Sequence, residues 1–557
     1  MSRRSLSDAF LAAAAKTHAL TVKLRFARAL RRATRTQAQL LDRLVARGAA
    51  SAFGCDHRFD RIRDYESYRS RVPIRAYDEL SPYVKRIMDG DLGALFPPGE
   101  RILMFALTSG TTAEPKYVPI TPNALADCRR GWNIWGVTAI LDHPEALLRD
   151  ILQVTSPMCD HLAPSGVPCG AITGLLAATQ KRLVQRYYTS PLAISAIKDA
   201  AVKYYTIMRF AVPKDVAWAV TANPSTFLLL AKSADENRER LIRDVRDGTL
   251  CRDMAIEGDI RTALAPLLRP DPDGARRLEA IVSKHGSLRP KHYWRLSFLA
   301  HWTGGTMGLY RPQLPAYFGE VPSRDIGLIA SEGRMSIPLA DNVPGGVIAV
   351  TSQFFEFIPA ADHGAAQPVV LRSHELTLGE EYFVILTNMS GLYRYDIGDC
   401  VRVVGFLGEA PLIEFLSRDA HTASLAGEKL TEHQVVEAMQ AVCGAGPGRV
   451  ERFILSPRWA DPPHYRLYVE AQTVRGSLDL AGRLDAALGR VNNEYESKRK
   501  TLRLGPVQLA ELPAGALAER DLALRRQRSR TAEQFKQQYL LPRPGLDAEL
   551  QPPVECR

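Results

Sequence analysis

The sequence predicts a mixed α/β protein with a large N-terminal part and a smaller C-terminal α+β part. Three observations point there. A chain of 557 residues is too long for one ordinary domain. Helical stretches dominate the first half, whereas from Ile326 the texture turns to short strands bounded by turns. Beyond residue 426, helix, strand, helix and strand patterns alternate over about a hundred residues, an ordinary domain size.

Residues 1–49 read as a basic helical arm. Arg3, Arg4, Lys16, Lys23, Arg25, Arg28, Arg31, Arg32, Arg35, Arg43 and Arg47 stand against only Asp8 and Asp42. Leu20, Leu24, Phe26, Leu30, Leu40, Leu41 and Leu44 form a partial apolar stripe that would dock it. Residues 59–83 mix turns and helical pieces, and residues 101–107 form a buried strand that runs into a hydroxyl-rich loop. Helices are expected over 124–141, 195–208 and 226–231, the last entered through Asn223-Pro224-Ser225. Strands follow at 345–352, 382–386, 401–406 and 412–416, so the N-terminal domain spans 1–416. The polar stretch 417–426 reads as a hinge. In the C-terminal domain, 427–557, helices over 432–442 and 478–495 alternate with strands at 452–455, 465–469 and 507–509.

Composition narrows the class. A 46% hydrophobic and 24% charged content is globular, and no apolar run reaches the roughly eighteen residues of a membrane span. The apolar stretch 10–15 lies between Asp8 and Lys16, too short and too charged for a secretory signal. Eight scattered cysteines without a CxxC pair fit reduced thiols in a cytoplasmic protein, not a metal or disulfide framework. The net charge of +11 sits mostly in the arm, and no aromatic interleaving or reading motif accompanies it. Nucleic-acid binding is therefore not expected.

Four short constellations carry chemistry. The strand ending at Leu107 runs into Thr108, Ser109, Gly110, Thr111 and Thr112, then Lys116. Backbone N–H and hydroxyl groups converging after a buried strand suit phosphate oxygens, and the lysine supplies a cation. The spacing is not that of the GxxxxGK[ST] loop. In Ala330-Ser331-Glu332-Gly333, a glutamate at a strand end is placed to reach Mg²⁺ or a reacting phosphate. In the segment 391–399, Gly398 permits a tight turn ahead of Asp399, whose carboxylate can accept from ribose hydroxyls, with a strand following from Cys400. Past the hinge pair Arg418-Asp419, Lys429 lies in a glycine-containing loop from which a moving domain can bring it to a nucleotide.

Taken together, these motifs resemble those of the auxin-responsive acyl-acid amido synthetases, the Gretchen Hagen three family of adenylate-forming enzymes. The loop 108–116, the segment 330–333 and Tyr393-Arg394-Tyr395-Asp396-Ile397-Gly398-Asp399 are similar to its three signature motifs. The stretch 52–62, Val72-Pro73-Ile74 and Tyr77 resemble its N-terminal signature, and 539–543 more loosely its C-terminal end. Two departures stand out. The second motif lacks a second serine before its glutamate, and Asp396-Ile397 replaces the Arg-Leu of plant members, so plant substrate preferences are not carried over.

The resemblance implies an adenylate-forming fold, with β-barrel and layered α/β subdomains followed by a small mobile C-terminal domain. It implies an ATP- and Mg²⁺-dependent ligase that makes an acyl-AMP from a small carboxylic acid and passes the acyl group to an amine or amino acid. Thr108, Ser109, Gly110, Thr111, Thr112, Lys116 and Ser331 would hold the phosphates, Glu332 the metal and Asp399 the ribose. Arg418 and Lys429 would act from the hinge and second domain, and Lys536 is a candidate second lysine near the C-terminus. Trp132, Asn133 and Trp135, on the helix after the first motif, are the candidates for the acyl pocket. His301 is weighed as a general base and, as a single histidine, read as structural. Two rivals stand beside this reading, an acyl-CoA (thioester) ligase and a non-catalytic nucleotide-binding scaffold.

Overall fold

The computed structural model describes residues 6–108, 116–418, 422–426, 428, 430–443, 450, 452–471, 479–500, 503–528 and 537–550. The chain divides into two compact units. One comprises residues 1–397 and 401–415, the other 398–400 and 416–557.

In the first unit the basic arm is two helices, Leu6–Leu30 and Ala33–Gly48. Of its apolar stripe, Phe26, Leu30, Leu40, Leu41 and Leu44 are buried, while Leu20 and Leu24 stay exposed at 46% and 68%. Gln37, on the second helix, is buried and fully used. Its Nε2 donates to the carbonyls of Val350 (2.8 Å) and Gln353 (2.7 Å), and its Oε1 accepts from the N–H of Phe355 (2.9 Å).

Three larger sheets follow. Strands Met104–Thr108 and Lys116–Ile120 pair antiparallel and extend through Pro168–Gly170 and His161–Leu162. A second sheet is parallel throughout, in the order Asp150–Gln153, Val216–Val220, Phe298–His301, Ser323–Asp325. Helices Ala200–Ala211, Pro224–Glu236, Arg238–Asp247 and Pro272–His285 lie in its crossovers, as parallel pairing requires. The seven-stranded third sheet places the long strands Glu381–Thr387, Tyr395–Leu407 and Ala410–Arg418 side by side. Helix Pro122–Asp142 starts two residues ahead of the expected 124. Thr121 accepts the N–H of Ala124 (3.1 Å) and Pro122 occupies the first turn, where its missing N–H costs nothing. Asn223 and Pro224 do the same for Pro224–Glu236.

The second unit has a three-stranded sheet, with Phe453–Arg458 antiparallel and Gln508–Leu512 parallel to the central His464–Glu470. Helices Glu432–Cys443, Leu480–Val491 and Asn493–Lys500 accompany it. The helix expected over 478–495 is thus two. Asn492 leaves helical geometry, and its Oδ1 accepts the N–H of Tyr495 (2.8 Å) to cap the second piece. Glu428, next to Lys429 in sequence, is buried. Its two oxygens accept the N–H groups of Leu425 and Ala426, both at 2.7 Å.

Candidate active site

Residues 109–115 connect the paired strands Met104–Thr108 and Lys116–Ile120, with Thr108 opposite Lys116. Ser109, Gly110, Thr111 and Thr112 lie outside the described residues, and Thr108 is described only as the end of its strand. Lys116 opens the return strand with its Nζ 5.5 Å from the ring centroid of Tyr77. Tyr77 is itself fixed, since its hydroxyl accepts the N–H of Tyr117 (2.7 Å) and donates to the Tyr117 carbonyl (3.0 Å).

The second motif is the tip of a small hairpin, Ile329–Ala330 paired with Gly333–Arg334. Ser331 donates its hydroxyl to the carbonyl of Leu107 (2.9 Å), which ties this tip to the root of the hydroxyl loop. Glu332 is buried. Its carbonyl accepts from Asn388 Nδ2 (2.8 Å), and Oε1 receives the Tyr395 hydroxyl at 3.5 Å. Gly333 has a φ of +146°, and a Cβ there would stand 2.5 Å from Gln353 Nε2, so glycine is required for this close approach. Gln353 in turn donates to the carbonyl of Arg334 (2.9 Å). The Glu332 backbone is therefore gripped on both sides.

Tyr395 brings the third motif to the second. Its neighbour Arg394 forms a buried ion pair with Glu356, Nε standing 3.0 and 2.9 Å from the two carboxylate oxygens, and Nη1 donates to the carbonyls of Arg69 and Val72. The Glu356 charge helps hold the Arg394 pKa above its ordinary value despite burial. Backbone bonds between Arg75 and both Arg394 and Asp396, 3.0 and 2.8 Å, join the N-terminal signature to this motif. The expected turn at Gly398 is instead a point inside the strand Tyr395–Leu407, which begins ahead of Cys400. Gly398 takes a φ of +73° there, the left-handed geometry that bends a strand without ending it. Asp399 is buried and groups with the second unit. Arg418 ends the strand Ala410–Arg418, while Asp419, Lys429 and Lys536 lie outside the described residues.

Beside the hairpin lies a small, partly open pocket. Ser331, Glu332, Gly333, Arg334, Gln353 and Asn388 line one part of it, and Ala124, Asp127 and Cys128 of helix Pro122–Asp142 another. These three helix positions share a face by their three- and four-residue spacing. Of the pocket candidates, Asn133 is on the opposite, exposed face, 3.5 Å from His18 Nε2. Trp135 is in the core, its indole N–H donating to the Asp325 carbonyl (2.8 Å) and its ring packed beside Trp132, Trp218 and Phe298. Trp132 lies under the guanidinium of Arg334, 4.4 Å from ring centroid to Cζ. Burial pushes the Asp127 pKa up to about 6, against the pull of Arg130 at 2.5 Å and the fields of Arg43 and Arg47. His301 is fully buried between Ser323 Oγ (3.1 Å) and the Trp302 carbonyl (2.7 Å), with a pKa lowered to about 4, and its role is structural. Sequence reasoning passed over Arg334, Gln353, Asn388 and Asp127, whose placement depends on partners distant along the chain.

Comparison with known proteins gives the chain its relatives. The sequence matches the GH3 family N-terminal domain over residues 22–323, the GH3 family central domain over 346–418 and the GH3 family C-terminal domain over 433–544. It is 26% identical over 484 residues to jasmonoyl–L-amino acid synthetase JAR6 of Nicotiana attenuata, covering 81% of each chain. It is 25% identical over 514 residues to indole-3-acetic acid-amido synthetase GH3.8 of Oryza sativa subsp. indica, covering 87% of this chain and 84% of that one. Among solved structures, GH3.15 acyl acid amido synthetase superposes with a TM-score of 0.79 at 19% identity, covering 95% of this chain and 94% of that one.

Proposed function

The chain belongs to the GH3 family, and on that premise we propose that it is an acyl-acid amido synthetase, activating a small carboxylic acid with ATP and transferring the acyl group to an amine or amino acid. One observation carries the reading. A single buried carboxylate, Glu332, is pinned at a hairpin tip that is itself bonded to the root of the hydroxyl loop and touched by the third motif.

In the first half-reaction a carboxylate oxygen of the acid attacks the α-phosphorus of ATP, and pyrophosphate leaves. In the second, a neutral amine attacks the acyl carbon of the mixed anhydride, AMP departs, and the amine proton passes to solvent or to a group in the second unit. Neither step needs a side-chain nucleophile, so the protein's work is to position the reactants and offset charge. We assign Thr108, Ser109, Gly110, Thr111, Thr112, Lys116 and Ser331 to the phosphates, Asp399 to the ribose, and Arg418, Lys429 and Lys536 to contacts from the second unit. Glu332 would hold Mg²⁺. Among the described residues no group of three or more His, Cys, Asp or Glu side chains is set to hold a metal, and one carboxylate shared with a polyphosphate suits this ion. When bound, the ion screens the phosphate charge.

No helix among the described residues is long and apolar enough to cross a membrane. Cys55, Cys128, Cys159 and Cys251 form no disulfide, which supports a reducing compartment such as the cytoplasm.

The test is purified protein with ATP, Mg²⁺ and a panel of acids, followed by isotope exchange between pyrophosphate and ATP, with amide product sought on adding amino acids. Exchange plus an amide formed without thiol is expected. Product that forms only with coenzyme A would make the protein a thioester ligase, and no exchange with any acid would leave a nucleotide-binding scaffold.

A further inference from the structure

The junction between the two arm helices, after Leu30 and before Ala33, is strapped to the tip of the hairpin formed by Tyr395–Leu407 and Ala410–Arg418. Glu409, in the turn, donates its N–H to the Leu30 carbonyl (3.1 Å), and its Oε2 accepts the N–H of Thr34 (3.0 Å). Gly408 lies so close that a Cβ there would stand 2.8 Å from the Leu30 carbonyl oxygen. This contact brings two kinds of exposed side chain together. On the hairpin, Val404, Phe406 and Leu407 are exposed, the last two at 43% and 42%. Val404 and Phe406 are two apart and share a face of their strand. Leu378, more exposed still, lies in a turn bonded to the same strand, through Gly379 N–H to the Val403 carbonyl (2.8 Å) and Val403 N–H to the Glu380 carbonyl (3.0 Å). At the junction, Arg28, Arg31, Arg32 and Arg35 are exposed.

The charge is concentrated. Residues 11–41 hold Lys16, Lys23, Arg25, Arg28, Arg31, Arg32 and Arg35 and no acid. All of these cations are exposed, and among the described residues none forms an ion pair. Leu20 and Leu24 precede Arg28 at four-residue spacing, so one line along the helix leads from exposed leucines to the junction. The carboxylates near the hairpin tip do little to offset this charge. Glu409 is bound to the Thr34 N–H, Glu381 pairs with Arg402 and Glu375 with Arg372, which leaves Glu380 as the exposed acid beside the turn. Such a cluster repels itself, and the apolar side chains at its edge forgo burial. A surface both anionic and apolar would relieve the two together.

We propose that this junction docks the protein on the face of a bilayer rich in anionic lipid. The arginines would sit among the phosphate headgroups while Phe406 and Leu407 reach the acyl boundary, and no segment crosses the membrane. Duplex nucleic acid would satisfy the cations alone and give neighbouring aliphatic side chains nothing to bury against, which favours the bilayer. Docking needs nothing from the amido synthetase reading, so either can fail without the other.

The experiment floats the full chain with vesicles of phosphatidylcholine, alone or mixed with phosphatidylglycerol, at low and high salt. Wild type should partition onto the mixed vesicles about 10-fold more strongly than onto phosphatidylcholine, and high salt should remove most of that preference. The variant R31Q/R32Q should lose about 10-fold on mixed vesicles, and F406S/L407S a similar factor although its charge is unchanged. Free glycerol phosphate should not displace the protein. A wild type that ignores the mixed vesicles, or binds both kinds alike, overturns the proposal, as does binding that survives both double variants or that free glycerol phosphate abolishes. Binding lost in R31Q/R32Q but kept in F406S/L407S, with duplex DNA held as tightly as the vesicles, would make the junction a general polyanion patch and overturns the bilayer. Should either double variant fail to fold, the single changes R31Q and L407S carry the same comparison.

Discussion

Ser331 donates a 2.9 Å hydrogen bond to the carbonyl of Leu107 across 224 residues of sequence. Two of the sequence motifs are joined by this bond, and the buried Glu332 beside it is the group on which nucleotide chemistry depends in our reading.

Glu332→Gln keeps the volume and the backbone bond from Asn388 but removes the charge. Pyrophosphate exchange should fall by about 100-fold or more, with the thermal midpoint shifting by no more than a few degrees. An exchange rate near wild type would remove Glu332 from the site.

The Arg394–Glu356 pair anchors the third motif from beneath, with Tyr65 also donating to Glu356 at 2.9 Å. Glu356→Ala would leave Arg394 buried without its counter-ion and should cost about 3–5 kcal/mol in urea denaturation. Replacing both members with apolar residues of similar size should cost much less. Equal losses in the single and double variants would mean that packing, not charge, decides.

Burial keeps His301 neutral by lowering its pKa from 6.5 to about 4. Between those values the unfolded chain takes up a proton that the folded chain refuses. The stability this histidine confers is complete above pH 6.5 and is lost as pH falls toward 4, a loss of about 3 kcal/mol. In His301→Gln the urea midpoint should therefore depend less on pH across this window. The pH profile of exchange above pH 6.5 should keep its shape in that variant, because both ring nitrogens face structural partners. A changed profile would give His301 a part in the reaction.

Asp127 has the opposite sign. Its pKa is raised from 3.8 to about 6, so folding becomes less favourable as pH rises through that interval. Asp127→Asn should stabilise the protein by up to about 3 kcal/mol at pH 7, a gain that vanishes below pH 4. Melting curves at both pH values check this, and a variant that is less stable at pH 7 would show that the Arg130 pair outweighs desolvation.

Part of the fold around the candidate site could be read from local chemistry. Asn223-Pro224 announces a helix start, and Glu332-Gly333 announces a strand-end carboxylate held by a residue free to take positive φ. The parallel strands 150–153, 216–220, 298–301 and 323–325 were not legible. They run for only three to five residues, and inside a covered sheet they lack the polar-apolar alternation that marks a half-exposed strand. Gly398 misled for a related reason, since a left-handed glycine serves a bend within a strand as well as a turn between two. Arg334 looks in sequence like any solvated arginine, and only the fold brings Gly131 and Trp132 to it. Asn133 was assigned to the pocket by proximity in sequence, but a helix turns one residue in three or four toward any given surface.

Gln37 bears on what the N-terminal arm is for. Its amide fastens backbone at Val350, Gln353 and Phe355, and Gln353 is the side chain that grips Gly333 and Arg334. The charged extension is therefore a splint for the hairpin that carries Glu332, not a detachable tether. Trimming it back past residue 37 would slacken the backbone around Glu332 from a distance.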